Sequence, residues 1–424
     1  MTAAAAGGGG ADPLRITTGR IRHGTPAFRR VNIALFLAGF CTFAQLYSVQ
    51  PLLPVFAAEF GLSPGASSLA LSVSTACLAV AMLFAGGLSD AIGRRTVMMA
   101  GLWGSALLGL AVTILPDWHV ILALRALMGI ALSGVPAVAM AYLGEEVEKD
   151  SLGLAMGLYI GGNAIGGMSG RLIIGTLTDF TSWRLALGVL ATLSLLSAFA
   201  FTRLLPRPRF FVASRPSPAA LAGAFIGTFR DAALPLLFLE SFLLMGAFVT
   251  VYNYIAFRLS GPPYALSHTL IASIFVVYLI GSFASTWVGQ LGARFGRRKV
   301  LWSMILVFGC GVALMIPENL PLILAGIVVV TFGFFGAHSV ASSWVTRRAH
   351  QAKAQAASLY LLFYYFGSSV VGTLGGLFWQ RWGWGGVTLL IGTALLLALA
   401  ISIRLVFVQP LPEPETPQPP TPGG

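Results

Sequence analysis

Charge is scarce in this chain. Asp, Glu, Lys and Arg together make up 9% of 424 residues, where a soluble domain carries roughly 25%. With 57% hydrophobic residues, such a chain cannot cover its apolar surface in water, and an ordinary soluble enzyme is excluded. Cysteine is nearly missing too. Cys41, Cys77 and Cys310 lie far apart inside apolar stretches without C-x-x-C spacing. They read as small buried hydrophobes, with no disulfide framework and no metal site implied. The sequence holds no H-E-x-x-H and no Walker loop, and its spans hold no cluster of carboxylates. A membrane enzyme would therefore lack acid–base or metal machinery, and ATP-driven transport would need a separate ATPase. No apolar core precedes the basic run Arg15, Arg20, Arg22, Arg29 and Arg30, so a secretory signal is not expected. Residues 1–30 read instead as a disordered cytoplasmic tail.

What the chain does contain is apolar runs of spanning length. Stretches of about 20 residues cross a bilayer as helices, and they fall at 31–54, 66–89, 96–115, 120–143, 152–177, 185–205, 233–257, 266–288, 300–316, 322–345, 354–379 and 386–408. Backbone groups in hydrocarbon must pair internally, and the ten-residue alternation of a barrel is missing, so these are helices. The net charge of +12 does not signal nucleic acid, because the basic residues cluster in short loops between spans. We count 21 Lys and Arg on one side and three (Arg184, Arg258, Arg381) on the other, and the remaining two, Arg125 and Arg171, fall deep inside spans. That bias places the basic loops and both termini in the cytoplasm. The Arg- and Pro-rich segment 206–232 divides the chain into an N-terminal six-helix bundle, 31–205, and a C-terminal one, 233–408. The Pro-rich residues 409–424 read as a second cytoplasmic tail.

The halves resemble each other at a shift of 201 to 203 residues. Leu35-Phe36-Leu37-Ala38-Gly39-Phe40 matches Leu237-Phe238-Leu239-Glu240-Ser241-Phe242. Leu158-Tyr159 and Gly166 match Leu359-Tyr360 and Gly367. Six spans return the chain to its starting side, so the repeats run parallel, with a site expected at the midplane between them.

Between spans 2 and 3 stands Gly86-Gly87-Leu88-Ser89-Asp90-Ala91-Ile92-Gly93-Arg94-Arg95. It resembles the G-x-L-a-D-r-x-G-R-R loop of the major facilitator superfamily. A degenerate copy, Gly289, Arg294, Gly296, Arg297 and Arg298, falls between spans 8 and 9, with Ala293 in place of the Asp. The resemblance implies an all-α membrane protein of twelve transmembrane helices in two pseudo-symmetric halves. It also implies a cytoplasmic gating loop built on Gly86, Asp90, Gly93, Arg94 and Arg95, with a weaker second copy. Arg125-Ala126-Leu127-Met128-Gly129 resembles the family's R-x-x-Q-G motif, and Trp183-Arg184 its pair opening span 6. Gly162, Gly166 and Gly170 fit the antiporter motif G-x-x-x-G-P-x-x-G-G, but Gly167 replaces its Pro and Arg171 its last Gly. The stretches Leu46–Pro51, Ser89–Arg94, Gly166–Arg171 and Ala337–Trp344 look like the bacterial inner-membrane drug:proton antiporter branch.

An ionisable residue inside the bilayer is a functional candidate by default. Glu240 is the only acidic residue within a span, and it is expected to exchange a proton or to pair with an Arg. Arg125 carries a proton-coupling role by resemblance, or pairs between helices. His338 lies deep within the span 322–345 and titrates near neutral pH or packs. Tyr159, Asn163, Gly167 and Arg171 recur every four residues on one helix face, and the repeat places Tyr360, Tyr364 and Ser368 on the equivalent face. With Gln45 and Gln50 of span 1, they form the expected substrate cavity. Gly162, Gly166 and Gly170 form a packing stripe, while Met and Phe are expected in the core or facing lipid. The reading is a secondary transporter in the bacterial inner membrane, not an enzyme: proton-coupled efflux of a small molecule by alternating access. It is expected to be monomeric, with no cofactor beyond a proton gradient, no metal, no nucleic acid, and the lipid bilayer and its substrate as partners. The alternatives are an uptake symporter or facilitator for a small polar metabolite such as a sugar or organic anion, and a membrane sensor without flux.

Overall fold

The computed structural model describes residues 19–213, 217–349 and 352–409. Twelve helical traverses run through it, numbered here α1 to α12. In the first half these are α1 (Pro26–Glu59), α2 (Pro64–Ile92), α3 (Arg94–Ile114), α4 (Trp118–Glu146), α5 (Lys149–Phe180) and α6 (Trp183–Leu204). In the second they are α7 (Leu234–Ser260), α8 (His268–Phe295), α9 (Arg297–Leu314), α10 (Leu320–Arg348), and α11 and α12, which share the stretch Lys353–Val406. Gly383, at φ 56° and ψ −142°, breaks that stretch, a conformation reached readily only without a Cβ. A short helix, Pro218–Thr228, lies in the segment joining the halves.

Proline sets the internal breaks. In α1 the regular helix stops at Tyr47 and resumes at Leu53 after the 3-10 turn Gln50–Leu52. Pro51 and Pro54 lack the N–H groups that would continue the ladder. In α4 the break at 133–135 precedes Pro136.

Each half is held by close helix contact rather than by a water-driven core. A Cβ on Gly162, Gly166 or Gly170 of α5 would lie 2.6, 2.1 or 2.6 Å from the backbone of Phe36, Phe40 or Ala44 in α1. The repeat reproduces this contact: a Cβ on Gly367 of α11 would lie 2.0 Å from the Phe242 carbonyl oxygen in α7. Backbones that approach so closely gain dispersion contacts, which drive helix association where lipid removes the hydrophobic term.

The expected tail 1–30 needs correction. Residues 1–18 and 410–424 lie outside the described residues, but Ile21 docks on the turn between α4 and α5, its N–H donating to the Glu146 carbonyl at 2.8 Å. The Glu148 N–H donates back to the Ile21 carbonyl at 3.0 Å, and Pro26–Arg30 already belongs to α1. Backbone pairing, which Arg-rich composition does not reveal, orders this segment.

The hydrogen bonds between the halves all lie towards the sparsely charged face. Ser72 and Thr75 of α2 bond Thr373 and Ser369 of α11, both at 2.8 Å. Asp179 at the end of α5 accepts from the His268 and Thr269 N–H groups at the start of α8, at 2.9 and 2.8 Å. Towards the basic face, no hydrogen bond or ion pair joins the halves among the described residues. The polar contacts that join the halves thus close the cleft towards the sparsely charged face.

Candidate functional site

A cavity of about 280 Å³ lies at the midplane, bounded by α1, α5, α7, α8, α10 and α11. Asn163 and Arg171 of α5, His338 of α10 and Tyr364 of α11 line it. Six aromatic residues add to its wall: Phe43 and Tyr47 from α1, Phe248 from α7, Tyr278 from α8, Phe335 from α10 and Tyr365 from α11.

Arg171 closes the cavity towards the sparsely charged face. It is 1% exposed. Its Nε donates to Gln50 Oε1 at 2.7 Å and its Nη1 to the Gly167 carbonyl at 2.6 Å. Gln50 Nε2 donates in turn to Asn253 Oδ1 of α7 at 2.8 Å, which links the halves. The guanidinium lies 4.3, 4.6 and 5.0 Å from the ring centroids of Tyr47, Phe275 and Tyr278. A cation over ring faces is partly compensated by their quadrupoles.

Glu240 is fully buried in α7, and neither carboxylate oxygen has a hydrogen-bond partner among the described residues. Tyr360 of α11 stands within electrostatic reach of it. The Tyr360 hydroxyl is 2.9 Å from His338 Nδ1, and the His338 ring packs on Tyr364 at 4.9 Å between centroids. Tyr360 and His338 thus connect the cavity wall with the part of the bundle in which Glu240 is buried, where its neighbour Ser241 donates to the Tyr360 carbonyl at 3.0 Å.

Several expected cavity residues lie elsewhere. Gln45 lines a separate, water-sized void with Arg125 and Met128. Phe43 and Tyr47 face the cavity, and a residue between them on a helix points away from both. Gln50 stands behind Arg171 rather than on the wall. Tyr159 is buried against Gly39 of α1, and Tyr360 and Ser368 are buried off the wall. Met245 and Phe248 lie in the core and Phe43 and Phe335 pack against it, as expected of Phe and Met, and all four also line the cavity. Hydropathy cannot tell an aromatic facing a cavity from one facing lipid.

Arg125 is held by backbone. Its Nε donates to the Ala70 carbonyl at 2.9 Å, Nη1 to that of Gln45 at 3.0 Å and Nη2 to that of Leu46 at 2.7 Å. The last carbonyls of a helix segment lack intrahelical partners, so Arg125 satisfies the end of the first segment of α1 and braces α1, α2 and α4 together.

At the basic face, Arg94 pairs with Asp90 one turn away and with Glu145 of α4 at 2.8 Å. Arg95 donates to the Thr202 and Leu205 carbonyls at the end of α6, at 2.6 and 3.1 Å. In the second copy, Arg298 donates to the Val406 carbonyl at the end of α12 at 2.9 Å. Arg297 reaches only Ser343 Oγ, at 3.4 Å, and Arg294 lies over the Phe295 ring. Gly93 and Gly296 adopt matching φ values of 102° and 93°, which turn the chain sharply between helices and favour glycine. Gly86 faces open space, and Gly289 faces Ser339. All these contacts stay within one half. Glu145 was not legible from the motif, because it lies just past the apolar run of span 4.

The Major Facilitator Superfamily model matches residues 35–284 and 241–423. The chain belongs to the Major Facilitator Superfamily. The inner membrane transport protein YnfM of Escherichia coli (strain K12) is 49% identical over 378 residues, covering 89% of this chain and 91% of that protein. The uncharacterized MFS-type transporter YybF of Bacillus subtilis (strain 168) is 47% identical over 378 residues, covering 89% and 94%. A crystal structure of a mutant of the nucleoside transporter NupG has the same fold, with a TM-score of 0.73 at 15% identity, covering 88% of this chain and 99% of that one. As a member of the Major Facilitator Superfamily, the chain is a multi-pass membrane transporter and not an enzyme.

Proposed function

We propose that this transporter is a proton-coupled exporter of amphipathic small molecules, with its basic face in the cytoplasm of a bacterial inner membrane. The Lys and Arg bias supports that orientation, and the structure then corresponds to a state open inward. The halves rock about the midplane, so that the cavity opens to one face at a time.

One observation carries the coupling: Glu240 is buried with both carboxylate oxygens unpartnered, in the part of the bundle that Tyr360 and His338 connect with the cavity wall. A charged carboxylate there has nothing to offset its desolvation. It is therefore neutral in the buried setting seen here, and releases its proton in the state of the cycle that admits water to it. Tyr360 and His338 convey the occupancy of the cavity to that proton. Arg125 is a brace in this scheme. The proton gradient is the only energy source, and one chain suffices.

The aromatic wall supports export. Amphipathic compounds enter cells through the bilayer without help, so a carrier for them works outward. Arg171 favours a second reading, electroneutral uptake of an organic anion with a proton. The test is proteoliposomes holding a pH-sensitive dye, given dyes, sugars and aromatic acids in turn across an imposed pH gradient. Export by exchange predicts accumulation in acid-lumen vesicles with faster collapse of the gradient, and symport predicts accumulation in alkaline-lumen vesicles. Flux that ignores the gradient contradicts both.

A further inference from the structure

We infer that the cavity selects anionic aromatic compounds, with a carboxylate-like group placed on Arg171 and a ring held between the walls of α1, α8 and α10. This rests on the reading above that the cavity is the substrate site, and names its substrate class.

Three observations meet at one point. The Arg171 guanidinium lines the cavity, and its Nη2 has no hydrogen-bond partner among the described residues. The partners of its other nitrogens are a neutral amide and a backbone carbonyl, so among the described residues no carboxylate pairs with it. Asp179, the acidic residue nearest in sequence on α5, is two turns further along the helix and engaged with His268 and Thr269. A buried cation without an anion costs several kcal/mol, and the three aromatic rings around Arg171 offset only part of that. An incoming anion supplies the missing partner. The planar guanidinium, fixed by Gln50 and Gly167, leaves one edge free, which suits one oxygen of a carboxylate.

The rest of the wall defines the body of the ligand. Tyr47, Phe248, Tyr278 and Phe335 present rings on two sides of the cavity. Asn163 is the other polar side chain that α5 gives to this wall, with its Oδ1 buried against Gly39 of α1. At about 280 Å³, the space is at the small end of ligand cavities, which fits one or two rings. A cationic ligand meets Arg171 with no carboxylate to receive it.

Equilibrium binding to the purified full chain needs no gradient and so reads this claim apart from proton coupling. The probes are matched pairs with the same ring and a different charge: benzoate and benzamide, naphthoate and naphthamide, indoleacetate and indoleacetamide, with benzylamine as the cation. At least one acid is expected to bind about tenfold or more tighter than its amide, the scale of one charged hydrogen bond. Arg171→Gln is expected to erase that ratio while leaving weak binding of both members. If Arg171→Gln does not fold, the wild-type ratio alone decides. Equal binding of acid and amide, tighter binding of benzylamine, or no binding of any acid would overturn the inference. Gradient-driven flux of an uncharged compound, together with any of those outcomes, would leave proton coupling standing without it.

Discussion

Phe40 and Gly166 touch so closely that the glycine has no room for a methyl group: a Cβ there would sit 2.1 Å from the Phe40 carbonyl oxygen. The repeat pair Phe242 and Gly367 shows the same contact at 2.0 Å. Gly166→Val and Gly367→Val are each expected to destabilise the bundle by about 1–3 kcal/mol or to prevent assembly. Gly161→Val, whose Cβ meets nothing within 4 Å, is expected to be nearly neutral. Thermal unfolding in detergent distinguishes the two sites.

Arg125 predicts a stability effect rather than a coupling effect. Arg125→Lys removes the planar fork that reaches three carbonyls, and a flexible ammonium cannot replace its geometry. Loss of even one charged hydrogen bond costs about 1.5–3 kcal/mol. The expected result is a lowered melting temperature with the pH profile of residual transport unmoved. A displaced pH profile at unchanged stability would move Arg125 into the proton path.

The closure at the sparsely charged face has a pH signature. Desolvation works against the Asp179 charge, but side-chain and backbone hydrogen bonds from Thr269 and His268 outweigh it and hold this carboxyl well below its ordinary range. A carboxylate whose value is depressed in the closed state stabilises that state above its ordinary value, near about 3.9. The contribution is lost as pH falls through the depressed value. Closure is thus expected to keep the Asp179 contribution throughout pH 5–8. Asp179→Ala removes a cap worth about 1 kcal/mol, a several-fold shift towards the state open at the sparsely charged face. Spin labels at His119→Cys and Arg381→Cys, both exposed, would read this as an increased population at the longer distance. An unchanged distribution would contradict it.

The sequence made the fold legible because a bilayer imposes length and loop charge directly. The α5 stripe of Gly162, Gly166 and Gly170 could be read from its spacing alone. On the opposing stripes, Asn163, Arg171 and Tyr364 reach the cavity. Tyr159, Tyr360 and Ser368 do not, since a few degrees of helix rotation decide which side of a face meets the cleft. The aromatic wall was not legible. Its residues come from five helices, and an apolar ring has the same hydropathy towards lipid, core or cavity. Gln45 and Gln50 look alike in sequence, yet the proline break between them sends one to the Arg125 void and the other to Arg171.

The central claim is that Glu240 couples the proton gradient to transport. Its most direct measurement compares wild type and Glu240→Gln in proteoliposomes, with the panel compound that wild type accumulates most. Gradient-driven uphill accumulation and downhill counterflow are recorded side by side. The account predicts that Glu240→Gln abolishes uphill accumulation and retains counterflow, because a neutral isostere keeps the cavity but carries no exchangeable proton. Uphill accumulation by Glu240→Gln at the wild-type rate would contradict it.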